Sequence, residues 1–163
     1  MLHEEITELI ASGVDIYVAT RDAALLPESM LAMGVKPHAD RRGVTVYLPE
    51  AVASTTLRNL EDNGRIAITL TRPIDHKSVQ LKGRALRTRR SEPADRELQA
   101  VHRAALTEQF AAVGVPRSAT RRLVWWPSFA VEVELEHVFT QTPGPRAGEP
   151  IAGEPARTPA PRK

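Results

Sequence analysis

Ser54-Thr55-Thr56 places three hydroxyls in a row near the start of a segment with helical spacing. Taken alone, such a run is a set of local caps and surface groups. Ser78, Gln80, Lys82 and Arg84 alternate along an extended segment, so they put donors and cations on one face, with Lys77 just ahead of them. On residue types alone that row is a solvated strand face. Arg121-Arg122 can clamp an anion, although arginines at a helix end also meet the dipole favourably. Trp125-Trp126 can stack on a flat ring or fill a core. His76, in a loop, is a candidate proton donor or a plain surface histidine. The five histidines, His3, His38, His76, His102 and His137, fall on different elements with no pair one helical turn apart, so no metal centre is expected. There is no cysteine, which removes thiol nucleophiles, disulfides and thiolate metal sites. Dinucleotide fingerprints, phosphate-cradling loops ending in Lys-Ser or Lys-Thr, and Gly-x-Ser-x-Gly elbows are also missing.

Periodicity supplies the elements that must position these groups. Leu2, Ile6, Leu9 and Ile10 predict a helix over 2–12 that Gly13 caps. Val14, Ile16 and Val18 predict a strand closed by a turn at Thr20-Arg21-Asp22. A less regular stretch from Pro27 to Val35 leads through a turn at 38–43 into a strand with Val44, Val46 and Leu48. Pro49-Glu50 is read as opening a second helix that Asn63-Gly64 ends. Two strands follow, with Ile66, Ile68 and Leu70 in one and Val79, Leu81, Gly83 and Ala85 in the other. Ser91 is then expected to cap a long helix with Leu98, Val101, Ala105 and Val113 as its apolar stripe, stopped by Gly114 and Pro116. A short turn or helix through Arg121-Leu123 precedes the last expected strand, which carries Phe129, Val131, Val133 and Leu135.

The chain has 163 residues, with 22 Lys and Arg against 20 Asp and Glu. The whole excess lies after Thr140, where Arg146, Arg157, Arg162 and Lys163 face only Glu149 and Glu154. A neutral body argues against a nucleic-acid footprint. No apolar run is long enough to span a bilayer, and acidic Glu4 and Glu5 stand where a signal peptide would place basic residues. The expectation is a cytoplasmic protein that binds neither nucleic acid nor membrane. One domain over 1–140 is expected, followed by a tail over 141–163 that holds 6 of the 13 prolines. Residues 141–151 are expected to lie along the body, and 157–163 to be disordered.

The order of strands and helices, together with the run His76-Lys77-Ser78-Val79-Gln80-Leu81-Lys82-Gly83 after a helix ending in Asn63-Gly64, resembles the pyridoxamine 5'-phosphate oxidase-like, flavin-binding split β-barrel family. Gln141-Thr142-Pro143-Gly144-Pro145 resembles the end of a subgroup of small members. The resemblance implies an α+β, mainly β fold, a split β-barrel with flanking helices, with FMN bound at a homodimer interface. It implies that the family's Ser-Arg-Lys phosphate triplet falls on Ser54, Thr55 and Thr56, keeping only the serine. The family's Arg-Gln pair falls on Lys77 and Ser78, and Gln80 on the same face can supply the lost amide. Hydroxyls lack the charge-assisted bonds of Arg and Lys, so Arg58 or Arg65 is a candidate substitute for the missing charge. True pyridoxine-phosphate oxidation is not expected, because the long helix has no Tyr and the basic C-terminal motif is replaced by a Pro-rich tail. The implied function is an FMN-dependent oxidoreductase acting on a small molecule. Deazaflavin-dependent reduction, or non-catalytic carriage of flavin or haem, are the alternatives.

Overall fold

The computed structural model describes residues 2–152. The expected disorder of 157–163 falls outside the described residues.

The helix α1 (Glu4–Ala11) turns Ile6, Leu9 and Ile10 inward, as their spacing requires. Strands β1 (Asp15–Arg21), β2 (Pro27–Ala32), β3 (Val35–Pro37) and β4 (Gly43–Pro49) follow, then helix α2 (Ser54–Asn63). Strands β5 (Arg65–Thr71) and β6 (Ser78–Arg90), helices α3 (Pro93–Ala112) and α4 (Arg117–Thr120), and strands β7 (Ser128–Thr140) and β8 (Pro150–Ala152) complete the described chain.

All strand pairs are antiparallel, in the order β2-β1-β5-β6-β7-β4-β3, with β8 on β7. β2 and β3 lie at opposite ends of that order yet are successive pieces of one chain segment. The Met33 N–H donates to the Tyr47 carbonyl at 2.9 Å, and the Tyr47 N–H donates to the Gly34 carbonyl at 3.0 Å. The sheet therefore curls back on itself, which satisfies edge groups that a flat sheet would leave open. Ile16, Val18, Val46, Ile68, Leu81 and Val133 meet inside with no solvent exposure. These are the alternate positions legible in the sequence.

Other sequence expectations are corrected. The first strand runs through Thr20 and Arg21 before it turns. The second helix starts at Ser54, because Pro49 is still paired with Ser128 in the sheet and the Glu50 N–H donates to the Pro127 carbonyl at 2.9 Å. Helix α3 is capped by Glu92, which forms a reciprocal capping box with Asp95, while the Ser91 hydroxyl accepts from Ser128 at 2.8 Å. Its buried face is Asp95, Gln99, His102 and Leu106, whereas Val101 is 72% exposed. Asp95 and Gln99 dock with partners: Tyr47 Oη donates to Asp95 at 2.9 Å, and Gln99 Nε2 donates to Ser128 Oγ at 3.0 Å, while Gln99 Oε1 and His102 Nε2 are buried without a partner among the described residues. A short helix, Arg117–Thr120, precedes the turn that does run through Arg121–Leu123. β7 is not the final strand, because β8 follows it.

Two glycines permit close approaches. Gly13, at φ +85°, lies where a Cβ would stand 2.5 Å from the Ala105 carbonyl carbon of α3. At Gly83 a Cβ would stand 1.9 Å from the Glu134 carbonyl oxygen, beside the register shift where Lys82 opposes His137 and Gly83 opposes Leu135. That shift leaves Glu136 as the extra residue of a β-bulge.

Candidate functional site

The start of α2 has an open hydrogen-bonding end. Ala53 occupies the N-cap position and no side chain caps the helix. The first-turn amides of Ser54, Thr55 and Thr56 thus lack the acceptor that Ser, Thr, Asp or Asn would provide. Ser54 is exposed, and Thr55 Oγ1 accepts from Arg58 Nη2 at 3.3 Å. Thr56 is fully buried, and its hydroxyl has no partner among the described residues. Arg58, one turn along, brings a cation to this end of the helix.

The start of β6 lies elsewhere on the molecule. Lys77 and Ser78 line a cleft of about 900 Å³ between α1 and the segment after β7, with Glu5, Thr140, Thr142 and Arg146 among its other walls. Lys77 Nζ stands 4.0 Å from Glu5 Oε2. Its amide donates to Asp75 Oδ1 at 3.1 Å, and two bonds from Arg72 hold that carboxyl down at about 2, helped by the Lys77 amide. Ser78 is buried, with Oγ 3.0 Å from Thr71 Oγ1 and 2.9 Å from the His76 carbonyl oxygen. Its N–H donates to Thr142 Oγ1 at 2.9 Å, and its carbonyl accepts from the Gln141 N–H at 2.8 Å. The stretch after β7 is thereby stitched to the barrel at the same strand end. Gln80 is half-buried and donates through Nε2 to Thr69 Oγ1 at 3.2 Å. Neither Gln80 nor Ser54, Thr55 and Thr56 lines this cleft. Within one chain, therefore, the structure joins Lys77 to Ser78 but leaves the hydroxyl run apart from them.

A third cluster gathers cations on aromatic faces. Arg103 Cζ lies 4.7 Å from the Trp125 ring centre, and Arg96 Cζ lies 5.7 Å from both indoles. Burial pushes the Arg103 guanidinium down, and its Nε has no partner among the described residues. His102, on the neighbouring helix face, is likewise pushed down by burial, which favours the neutral imidazole. Among the described residues no group of three or more His, Cys, Asp or Glu is placed to hold a metal, and no helix is long and apolar enough to cross a membrane.

No family model matches the sequence, and no curated protein does. Solved structures do match. HupZ from Group A Streptococcus superposes with a TM-score of 0.56 at 20% identity, covering 91% of this chain and 100% of that one. A candidate pyridoxamine 5'-phosphate oxidase from Lactobacillus delbrueckii gives 0.54 at 16% identity, covering 85% and 93%. An F420 reductase gives 0.54 at 11% identity, covering 84% and 98%. The chain has the split β-barrel fold. At these identities the likeness is one of fold, and the chemistry rests on this chain's own residues.

Sequence reasoning missed the uncapped start of α2, although Ala53 ahead of three hydroxyls was the available signal. It also missed the role of Thr142, whose only signal was a hydroxyl placed just after the long final pattern.

Proposed function

We propose that the chain is a cytoplasmic FMN-binding protein of the oxidoreductase class that works as a homodimer, with flavin held between two copies. The observation that carries this reading is the separation of two half-sites in one chain: an uncapped, hydroxyl-bearing helix start on α2, and the Lys77–Ser78 end of β6 on a large cleft. The residues fit the cofactor. A phosphate supplies the acceptors that the first-turn amides lack, and it suits the positive end of the helix. Ser54, Thr55 and Thr56 would hold that phosphate with Arg58 beside them, while Lys77, Ser78 and Gln80 present a cation and polar atoms to the ring edge of the flavin. Two copies bring such half-sites together where one does not.

A bound flavin supplies the hydride or electron transfer. The chain's own contribution is to bind and orient it. The F420 reductase of the same fold supports a second reading, in which a deazaflavin with a longer acidic tail takes the place of FMN. Lys77 and Arg146, both on the 900 Å³ cleft, are the cations that would meet such a tail.

The absorption spectrum of the purified protein and a fluorescence titration with FMN test the proposal. Flavin bands, or saturable quenching of added FMN, are expected. A Soret band would replace flavin by haem as the ligand, and no response to FMN, deazaflavin or haem would remove the cofactor altogether.

A further inference from the structure

On the outer face of the barrel, β5 and β6 set Arg65 directly opposite Arg84, and β6 and β7 set Arg84 opposite Glu134. Carrying the β1–β5 register two residues past the Ala19–Ala67 pair brings Arg21 beside Arg65. Three arginines thus occupy one cross-strand row on neighbouring strands about 4.8 Å apart. Like charges directly opposite each other are destabilising, so this row needs a counter-charge. The bulged Glu136 supplies part of it, accepting from Arg65 at 2.6 Å and lying 3.3 Å from Arg84. Among the described residues the Arg21 guanidinium donates only to the Asp22 carbonyl, at 3.0 Å. On the adjoining row Lys82 stands opposite His137, with Nζ 4.9 Å from the Phe139 ring centre, and His137 Nδ1 is buried with no partner among the described residues.

These groups surround one cleft of about 470 Å³. Arg21, Arg65, Lys82, Glu136 and His137 line it, over a floor that includes Ala19, Ala67 and Gly83. Three cations face one carboxylate, leaving an excess of two positive charges, and the small floor residues leave room above the sheet. We propose that this cleft binds a phosphate-class dianion, either free phosphate or the phosphate end of a small phosphomonoester. Arg21, Arg65 and Lys82 are its counter-charges. The cleft lies apart from Lys77, Ser78 and the start of α2, and Gln80, two residues before Lys82 on the same strand face, stands between them. Lys82 is four residues along β6 from Ser78, about 13 Å at strand rise, and Arg21 sits at the far end of α2 from Ser54, where Asn63 Nδ2 donates to the Arg21 carbonyl at 2.8 Å.

Isothermal titration of the full chain with inorganic phosphate, at ionic strength held constant with chloride, tests this. Saturable binding of one phosphate per chain is expected, weakened about tenfold or more by Lys82→Ala and by Arg21→Ala, with Lys36→Ala, an exposed lysine on β3 off the cleft, binding as wild type. Circular dichroism checks that each variant folds. Glycerol 3-phosphate titrated in parallel distinguishes the two sources, binding more tightly than phosphate if the natural ligand is an ester and less tightly if it is the free ion. No binding to the wild type at millimolar phosphate, or wild-type affinity in the Lys82 and Arg21 variants, overturns the proposal. Loss of phosphate binding in Lys77→Ala together with competition by FMN also overturns it, and would leave the flavin reading standing.

Discussion

Asp95 accepts from Tyr47 Oη at 2.9 Å, from Arg89 at 2.6 and 3.2 Å, and from the Glu92 amide at 2.8 Å. Burial alone would push its carboxyl up, but the Arg89, Glu92 and Tyr47 bonds together outweigh it and bring the group down to about 2. Burial, followed by the hydrogen bond to Asp95 and its charge, pushes the Tyr47 phenol up against the opposing Arg89 charge. Because the Asp95 value is lower folded than unfolded, its stabilisation is fully present above about pH 4 and is lost as the pH falls towards 2. Urea unfolding should therefore lose about 2 kcal/mol over that window. Asp95→Asn should cost about 3–5 kcal/mol at neutral pH by stranding Arg89, and should flatten the acid-side loss. An unchanged acid limb in the variant would show that Asp95 is not the group responsible. At the proposed cofactor site, Lys77→Ala should weaken FMN binding by about 1.5–3 kcal/mol, the value of one hydrogen bond to a charged group. Lys82→Ala should leave FMN affinity nearly unchanged, since Lys82 lies on a different cleft from Lys77. Equal effects in a fluorescence titration would contradict the assignment of the two lysines.

Among the elements, those that bury one face were the ones legible in the sequence. Ile66, Ile68 and Leu70 alternate because β5 turns one side to the barrel interior, and Gly64 ends α2 at φ +66° because a left-handed residue is needed there. Helix α3 is legible as a helix, but its inward face is not, because that face is mostly polar. Asp95, Gln99 and His102 are buried there, and no apolar periodicity reports hydrogen-bonded burial. Arginines at 84, 87, 89 and 90 likewise hid the length of β6, which runs to Arg90 with its outer half largely exposed and with Arg84 and Arg87 opposite glutamates on β7. Of the candidate site, the hydroxyl run and the Lys77–Ser78 end could be read as residues. The row of arginines could not, since it exists only once the register and the bulge at Glu136 are set. Helix α3 also depends on Gly13. Gly13→Ala would force a side chain against the Ala105 backbone from a positive φ, and should destabilise the protein by roughly 1–3 kcal/mol with α3 loosened first. Amide exchange should then quicken in α3 before the barrel strands, and uniform acceleration would contradict that order.

At the scale of the whole molecule, the stretch after β7 closes one side of the 900 Å³ cleft. Truncation after Thr140 removes β8, the Thr142–Ser78 bonds and Arg146 together, and should lower the melting temperature or the cofactor affinity. If both stay at the full-length values, the segment contributes nothing to the site. The proposed function requires a second copy to complete the two half-sites of the split barrel and flavin to fill them. Sedimentation velocity of the FMN-loaded protein, recorded at the flavin absorbance band, tests both halves of that claim at once. The account predicts flavin absorbance moving entirely with a dimer, at one FMN per chain. Flavin that stays free of the protein boundary, or moves with a monomer, would contradict it.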